Sequence, residues 1–196
     1  MKAIQILPFG GVPRFLFAGL SRGLAQEFSA TCEILEAEPD PFYALDAKRQ
    51  QYCSTKILAS MAARPLPLAT GLLGVLSCDL YIPILTFVFG EAQLKGPCAV
   101  VSLFRLRQKF YGLQEDEELL MNRLLKESVH ELGHTLGISH CGDYGCVMAP
   151  SHAVEWIDLK SARLCEACRK KSLCPDSATS RSVSPDEPAS AGLLEP

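Results

Sequence analysis

Apolar residues recur along the first half of the chain at two different spacings. In residues 14–28 and 54–63 they return every three or four positions, which predicts two amphipathic helices. Between and after these helices lie short apolar runs, some of them alternating with polar residues, and these predict strands. The runs span residues 1–7, 31–38, 74–92 and 98–106, and Pro83 divides the third of them in two.

The longest predicted helix covers residues 116–136, with Leu120 and Leu124 among its apolar positions. Helices alternate with strands over the chain that precedes it, which predicts an α/β fold. Residues 1–175 are interpreted as one domain. Residues 176–196 are rich in serine, proline, alanine and acidic residues. Because such a composition buries too little apolar surface to offset the entropy lost on folding, it predicts a disordered tail.

Composition and charge argue against several classes of function. Of the 196 residues, 48% are hydrophobic and 21% are charged, as in an ordinary globular protein. The net charge of −3 offers no basic surface for nucleic acid or for an anionic membrane. No segment is apolar over the length needed to cross a bilayer, and the first apolar run is too short for a signal peptide. We therefore expect a cytoplasmic protein.

The nine cysteines are interpreted in the light of that expectation. Because the cytoplasm is reducing, closely spaced cysteines there are metal ligands more often than they are disulfides. Five of the nine crowd the C-terminal third, and four are scattered upstream. The scattered ones are interpreted as small core side chains, and Cys174, the last of the five, as a spare thiol.

Three of the four histidines lie in one short stretch within and just after the predicted long helix. His130 and His134 are four residues apart, so their imidazoles lie on one helix face and can reach the same metal ion. Glu131 follows the first histidine. In this pattern the glutamate is the expected general base, which takes a proton from the attacking water without binding the metal.

Gly137 and His140 extend the pattern to HExxHxxGxxH. Had the helix continued, His140 would lie well round the helix from the first two histidines. Glycine commonly ends helices, so a turn at Gly137 can bring His140 back to the same metal. Three histidines leave one position free for water, which is typical of a catalytic zinc site. The alternative is a buried helix whose histidines are hydrogen-bonded core residues.

The segment HELGHTLGISH followed by CVM resembles the metzincin clan of zinc peptidases, and Cys141 after the third histidine resembles the archaemetzincin family. The resemblance implies a metzincin-like fold, in which a mixed twisted sheet packs on helices. It implies that His130, His134 and His140 bind a catalytic zinc and that Met148 forms the methionine turn beneath it. It implies a metallopeptidase that acts on peptides or proteins, and it leaves an aminopeptidase activity open.

A second zinc site is predicted from four cysteines in two closely spaced pairs. Cys141 and Cys146 are separated by four residues, and Cys165 and Cys168 by two, which is typical of a structural zinc site with four cysteine ligands. The second pair could instead be a redox pair, but no βαβ unit precedes it. The resemblance implies the same four ligands in a C-terminal subdomain, and hence two zinc ions per chain.

Three further positions near the predicted cleft have two interpretations each. Residues Leu85–Ala92 are either an edge strand that pairs with the substrate backbone or an ordinary core strand. Glu91 is a conceivable carboxylate for a free α-amine of the substrate. His152 either stabilises an oxyanion or is a solvated loop residue.

Two alternatives to an enzyme come from other classes of function. One is a zinc-dependent peptide-binding or regulatory module with little turnover. The other is a nucleic-acid-binding zinc module, suggested by the four cysteines and by the basic residues 169–171, but the net negative charge argues against it. The oligomeric state is not determined by the sequence.

Overall fold

The computed structural model describes residues 1–173, and the predicted tail and Cys174 lie outside them. The described chain contains eight strands and five α-helices, which alternate in its first part, as predicted for an α/β fold. The strands are β1 (Ala3–Pro8), β2 (Thr31–Ile34), β3 (Leu45–Asp46), β4 (Gln51–Cys53), β5 (Thr70–Leu76), β6 (Leu80–Tyr81), β7 (Gly90–Ala92) and β8 (Cys98–Ser102). The helices are α1 (Phe15–Phe28), α2 (Ser54–Ala62), α3 (Glu117–Thr135), α4 (Val154–Leu159) and α5 (Glu166–Leu173).

The main sheet is mixed and has the strand order β2-β1-β5-β8-β7. Its first four strands are parallel, and β7 pairs antiparallel with β8 at one edge. All seven residues of β5 are buried, because helices cover both faces of a parallel sheet. A second, small sheet has the order β3-β4-β6.

Side chains of alternate residues in β5 point to two separate cores. Leu73 and Val75 pack with α1 and α3, whereas Leu72 and Leu76 pack with α2. Helix α3 therefore lies on one face of the sheet, in contact with β8 and with the edge strand β7. This packing fixes the helix that carries the HExxH segment beside an open sheet edge.

The segment predicted as one strand, Leu85–Ala92, is a strand only at its end. Before β7 the chain forms turns, and Val88 makes a single isolated bridge to Leu80. The carbonyls of Leu85 and Thr86 accept hydrogen bonds from the Arg49 guanidinium, so they are not available for a sheet ladder. Of the two interpretations of this segment, the edge position is the one the structure has.

Helix α3 begins and ends close to the predicted residues 116 and 136. The Asp116 side chain accepts a hydrogen bond from the Leu119 amide and caps the first turn. At the other end the backbone of Gly137 has a φ of 83°, in the left-handed region that favours glycine. The amides of Gly137 and Ile138 close the final turn on the carbonyls of His134 and Gly133.

The chain after α3 packs beneath that helix rather than on the sheet. Val147, Met148 and Ile157 are fully buried there against the larger core. The Arg123 guanidinium of α3 forms a two-pronged ion pair with Asp158 of α4. Among the described residues, no helix is both long enough and apolar enough to cross a membrane.

Candidate metal centre and active-site cleft

The three histidines of the HExxHxxGxxH segment meet at one point. One ring nitrogen from each of His130, His134 and His140 lies within 4.8 Å of the other two. The Nε2 atoms of His130 and His134 are 3.1 Å apart. Two nitrogen ligands of a tetrahedral zinc ion are about 3.3 Å apart, so this spacing fits a zinc ion.

Hydrogen bonds to the backbone fix which nitrogen of each helical histidine faces the others. His130 Nδ1 lies 2.8 Å from the Val147 carbonyl, and His134 Nδ1 lies 2.7 Å from the Ile138 carbonyl. Because a carbonyl can only accept, each Nδ1 donates and each Nε2 is left with a lone pair. Two lone pairs that converge at this distance repel one another without a cation between them, so the arrangement suits a metal.

Electrostatics keep these imidazoles neutral, as metal ligands must be. Burial lowers the pKa of His130 well below its ordinary value, and the nearby Lys160 ammonium lowers it further. Burial likewise lowers the pKa of His134 and of His140.

His140 reaches the site because the chain reverses direction after α3. The turn at Gly137 carries it back towards the first two histidines. The amide of the next residue, Cys141, donates to the Met148 carbonyl at 3.0 Å. This hydrogen bond holds the returning chain against the segment that contains Met148.

Met148, the residue predicted to form the methionine turn, packs against helix α3. It is fully buried, and a Cβ atom placed on Gly133 would lie 2.4 Å from its sulfur. Only glycine at that position of the helix lets the methionine approach so closely. The glycine inside HELGH therefore has a packing role that the sequence did not suggest.

A cleft opens in front of the histidines, between the edge of the sheet and the chain that follows Met148. Its volume is about 320 Å³. The cleft is lined by Leu85, Thr86, Phe87, Val88 and Phe89 from the loop before β7 and by Gly90 at the start of that strand, by Glu127, His130 and Glu131 from α3, and by His140, Pro150, Ser151 and His152.

Glu131 is buried in the wall of this cleft, beside the histidines. Burial raises the pKa of its carboxyl well above the ordinary value, and the negative charge of Glu127 acts in the same direction. The Lys160 ammonium opposes both effects. A carboxyl group with a raised pKa, facing a cleft, has the character of a general base and acid.

The four clustered cysteines form a second site beneath the first. One sulfur from each of Cys141, Cys146, Cys165 and Cys168 lies within 4.8 Å of the others. The sulfurs of Cys141 and Cys165 are 3.8 Å apart. Sulfur ligands of a tetrahedral zinc ion are about 3.8 Å apart, so the donors fit zinc in both chemistry and spacing.

Backbone amides donate to some of these sulfurs and favour their ionised form, although burial raises the pKa of the Cys146 and Cys168 thiols above their ordinary values. The Asp143 amide donates to Cys141, and the amides of Met148 and Cys165 donate to Cys146. The Cys168 amide lowers the pKa of the Cys165 thiol below its ordinary value. Such N–H···S contacts stabilise thiolates, the form in which cysteine binds a metal.

Comparison with known proteins now identifies the family. The family model described as peptidase family M54 matches residues 66–173, more than half of the chain. This chain belongs to peptidase family M54. This M54 protein is 43% identical over 168 residues to the archaemetzincin of Methanocaldococcus jannaschii. The match covers 86% of this chain and 91% of the relative.

Two crystal structures have a fold similar to that of this M54 protein. The archaemetzincin of Archaeoglobus fulgidus, complexed with malonate, is 38% identical with a TM-score of 0.75, covering 87% of this chain and 99% of its own. A zinc-dependent peptidase from Methanocorpusculum labreanum is 29% identical with a TM-score of 0.80, covering 86% of this chain and 99% of its own. The resemblance to archaemetzincins, the fold it implied and the expectation of a metallopeptidase are confirmed.

The structure shows the surroundings of Glu91 and His152, each of which had two interpretations. Glu91 faces α2, where its carboxylate accepts hydrogen bonds from the hydroxyls of Ser54 and Thr55, so it is not offered to the cleft. His152 lines the cleft and is exposed, and its ring packs edge-on against Trp156 at a centroid distance of 5.3 Å.

The cleft wall contains a buried ion pair that the sequence did not predict. Lys160 Nζ lies 2.9 Å from Glu127 Oε1, and both side chains are almost fully buried. The same ammonium donates to the Ala149 carbonyl, next to Met148. The two partners are far apart in sequence. The one available signal was the position of Glu127, three residues before His130 on the same helix face.

Proposed function

We propose that this M54 protein is a zinc-dependent peptidase in which Glu131 is the general base and acid. The observation that carries the proposal is the convergence of three neutral imidazoles beside a buried carboxyl group, on the wall of an open cleft. The family and the zinc-dependent relative from Methanocorpusculum labreanum support it.

His130, His134 and His140 would hold the catalytic zinc. A bound zinc ion supplies Lewis-acid polarisation of the scissile carbonyl and makes water more acidic. The Val147 and Ile138 carbonyls orient the first two imidazoles, which keeps their Nε2 atoms directed at the metal.

Glu131 would move the proton. Its raised pKa favours acceptance of a proton from the attacking water, and the resulting carboxylic acid passes that proton to the leaving amine, which is the stronger base. The burial of Glu131 excludes bulk water from this transfer.

The cleft would accept an extended peptide along the edge of the sheet. Within residues 1–173, strand β7 pairs with a strand on one side only, and we propose that its outer edge pairs with a substrate backbone. Since Glu91 is held by Ser54 and Thr55, it does not support recognition of a free α-amine, and we propose no aminopeptidase preference.

The four cysteines would hold a second, structural zinc, giving two zinc ions per chain. Their sulfur spacing and the surrounding amides support this assignment. We also propose the cytoplasm as the compartment, because reducing surroundings keep closely spaced cysteines available for metal.

The decisive experiment replaces Glu131 by glutamine. Zinc-loaded wild-type protein and the Glu131→Gln variant are incubated with a diverse peptide library, and products are followed by mass spectrometry. The variant should retain zinc and lose at least about a hundredfold in turnover, because the proton acceptor is missing.

Glu118→Gln, an exposed change on the same helix, serves as the matched control and should cleave normally. Normal cleavage by Glu131→Gln would contradict the assigned role. Saturable peptide binding by the zinc-loaded wild-type protein without any products would instead favour the peptide-binding module.

A further inference from the structure

An exposed apolar hollow lies next to the cleft and shares only Pro150 with it. It has a volume of about 180 Å³ and contains no charged side chain in its lining. It is formed by Tyr144, Ala149, Pro150, Trp156 and Leu159. We call it the Trp156 hollow.

Three side chains of the Trp156 hollow are unusually exposed for their chemistry. Tyr144 is 77% exposed, Leu159 is 83% exposed, and Trp156 is 44% exposed. Helix α4 buries Val154 and Ile157 on its other face, so the helix is already anchored without these side chains. Exposed clusters of large apolar side chains are typical of binding surfaces, and tryptophan and tyrosine contribute strongly to them.

The hollow adjoins the cleft. Pro150 lines both cavities. The ring of His152, on the cleft side, packs against the ring of Trp156, on the hollow side. A peptide that leaves the cleft past Pro150 therefore meets the hollow within a few residues of the scissile bond, since an extended chain advances about 3.3 Å per residue.

We propose that the Trp156 hollow is a substrate subsite for a large apolar side chain of the peptide, at a position a few residues from the scissile bond. The inference rests on the proposed function, because it needs a peptide in the cleft. The absence of charge in the hollow excludes a preference for charged side chains at that position. The substrates of this M54 protein are therefore peptides with an aromatic or aliphatic residue at one fixed distance from the cleaved bond.

The experiment uses zinc-loaded Glu131→Gln protein and short peptide hydroxamates, whose hydroxamate group anchors them at the histidine site. One phenylalanine is moved along an otherwise alanine chain, in series that extend from either side of the anchor. Trp156 is the only tryptophan in the chain, so its fluorescence reports occupancy of the hollow directly. At one position phenylalanine should tighten binding about tenfold over alanine and shift the tryptophan emission.

Two variants inside the hollow test the proposal, and one variant outside both cavities is the control. Leu159→Ser and Tyr144→Ser should abolish the preference for phenylalanine while leaving the binding of the all-alanine hydroxamate unchanged. Leu68→Ser, at a leucine that is 99% exposed and outside both cavities, should keep the preference. If these two substitutions only disturbed the local structure, they would lower the affinity for all the peptides equally.

The outcomes separate the subsite from the proposed function. Binding without a phenylalanine preference at any position, or a preference that survives in both lining variants, overturns the subsite alone. If no hydroxamate binds to the zinc-loaded protein, the proposed function fails and the subsite fails with it.

Discussion

Glu131 has conflicting requirements in folding and in function. Burial among apolar neighbours and the charge of Glu127 raise the pKa of its carboxyl, which suits proton transfer but disfavours the ionised form in the folded protein. An unfolded chain exposes the same carboxyl to water, where it ionises at its ordinary pKa. In the absence of metal, the residue proposed to move the proton should therefore destabilise the fold at neutral pH.

We predict that Glu131→Gln stabilises the metal-free protein, and that the gain increases with pH. Above the ordinary pKa of 4.5 the unfolded state loses a proton that the folded state keeps. The contribution of Glu131 to wild-type stability therefore falls as the pH rises towards the raised folded pKa, by up to about 1.4 kcal/mol per pH unit, whereas glutamine does not titrate. Urea unfolding of the two metal-free proteins at pH 5.5 and 7.5 measures the difference.

The matched control for this pH dependence is Glu118→Gln, which removes an exposed carboxylate from the same helix. It should show no comparable increase in stability between the two pH values. A constant difference between Glu131→Gln and wild type would mean that the Glu131 carboxyl ionises equally in both states.

At the level of elements, helix α3 could be predicted and the loop before β7 could not. The capping aspartate, the apolar spacing and Gly137 all lie within or beside the helix, so the sequence contains its limits. The carbonyls of Leu85 and Thr86 are instead bound by Arg49, a residue far away in sequence. The local preference for a strand was overridden by a tertiary contact that no local pattern encodes.

The candidate site likewise contains some residues that the sequence could predict and others that it could not. The histidines and cysteines could be predicted because metal coordination fixes their spacing along the chain. Glu127 and Lys160 could not, because their ion pair forms only when α3 packs on the segment after α4. This pair, together with the Lys160 contact to the Ala149 carbonyl, joins helix α3 to the segment that contains Met148.

We predict that Lys160→Met destabilises the zinc-loaded protein by about 3–5 kcal/mol, because it leaves the Glu127 carboxylate buried and unpaired. The double variant Lys160→Met with Glu127→Gln should recover most of this loss, since it removes the uncompensated charge. Urea unfolding of both variants provides the measurement.

Lys170→Met is the comparison for this buried pair. It removes an ion pair with Glu166 in which both side chains are mostly exposed. Its effect should stay below about 0.5 kcal/mol. A similarly small effect of Lys160→Met would show that the buried pair contributes nothing to the junction between the two elements.

For the whole molecule, the two clusters form one connected unit. Cys141 directly follows His140, and its amide is bonded to the Met148 carbonyl. A metal at the four cysteines would therefore fix the backbone that carries the third histidine, although it would lie outside the cleft. The cysteine cluster also joins the chain after α3 to helix α5, which packs against α1 through Arg169 and Glu27.

We predict two zinc ions per chain, each lost selectively when its own cluster is altered. His134→Ala should lose one zinc and all peptidase activity, while Cys168→Ser should lose the other. Cys168→Ser should also lower kcat/KM about ten- to a hundredfold, because the chain that positions His140 is no longer held. Metal analysis of the purified proteins, combined with peptide cleavage, gives both quantities.

Cys32→Ser, outside the cluster on β2, should keep both zinc ions and full activity. If the wild-type protein carries a single zinc that is lost only in Cys168→Ser, the histidine site does not hold metal in the purified protein. Added zinc should then restore cleavage in the wild type but not in His134→Ala. If Cys168→Ser loses one zinc but cleaves as well as the wild type, the cysteine cluster stabilises the fold without positioning His140, and the two sites are mechanically independent.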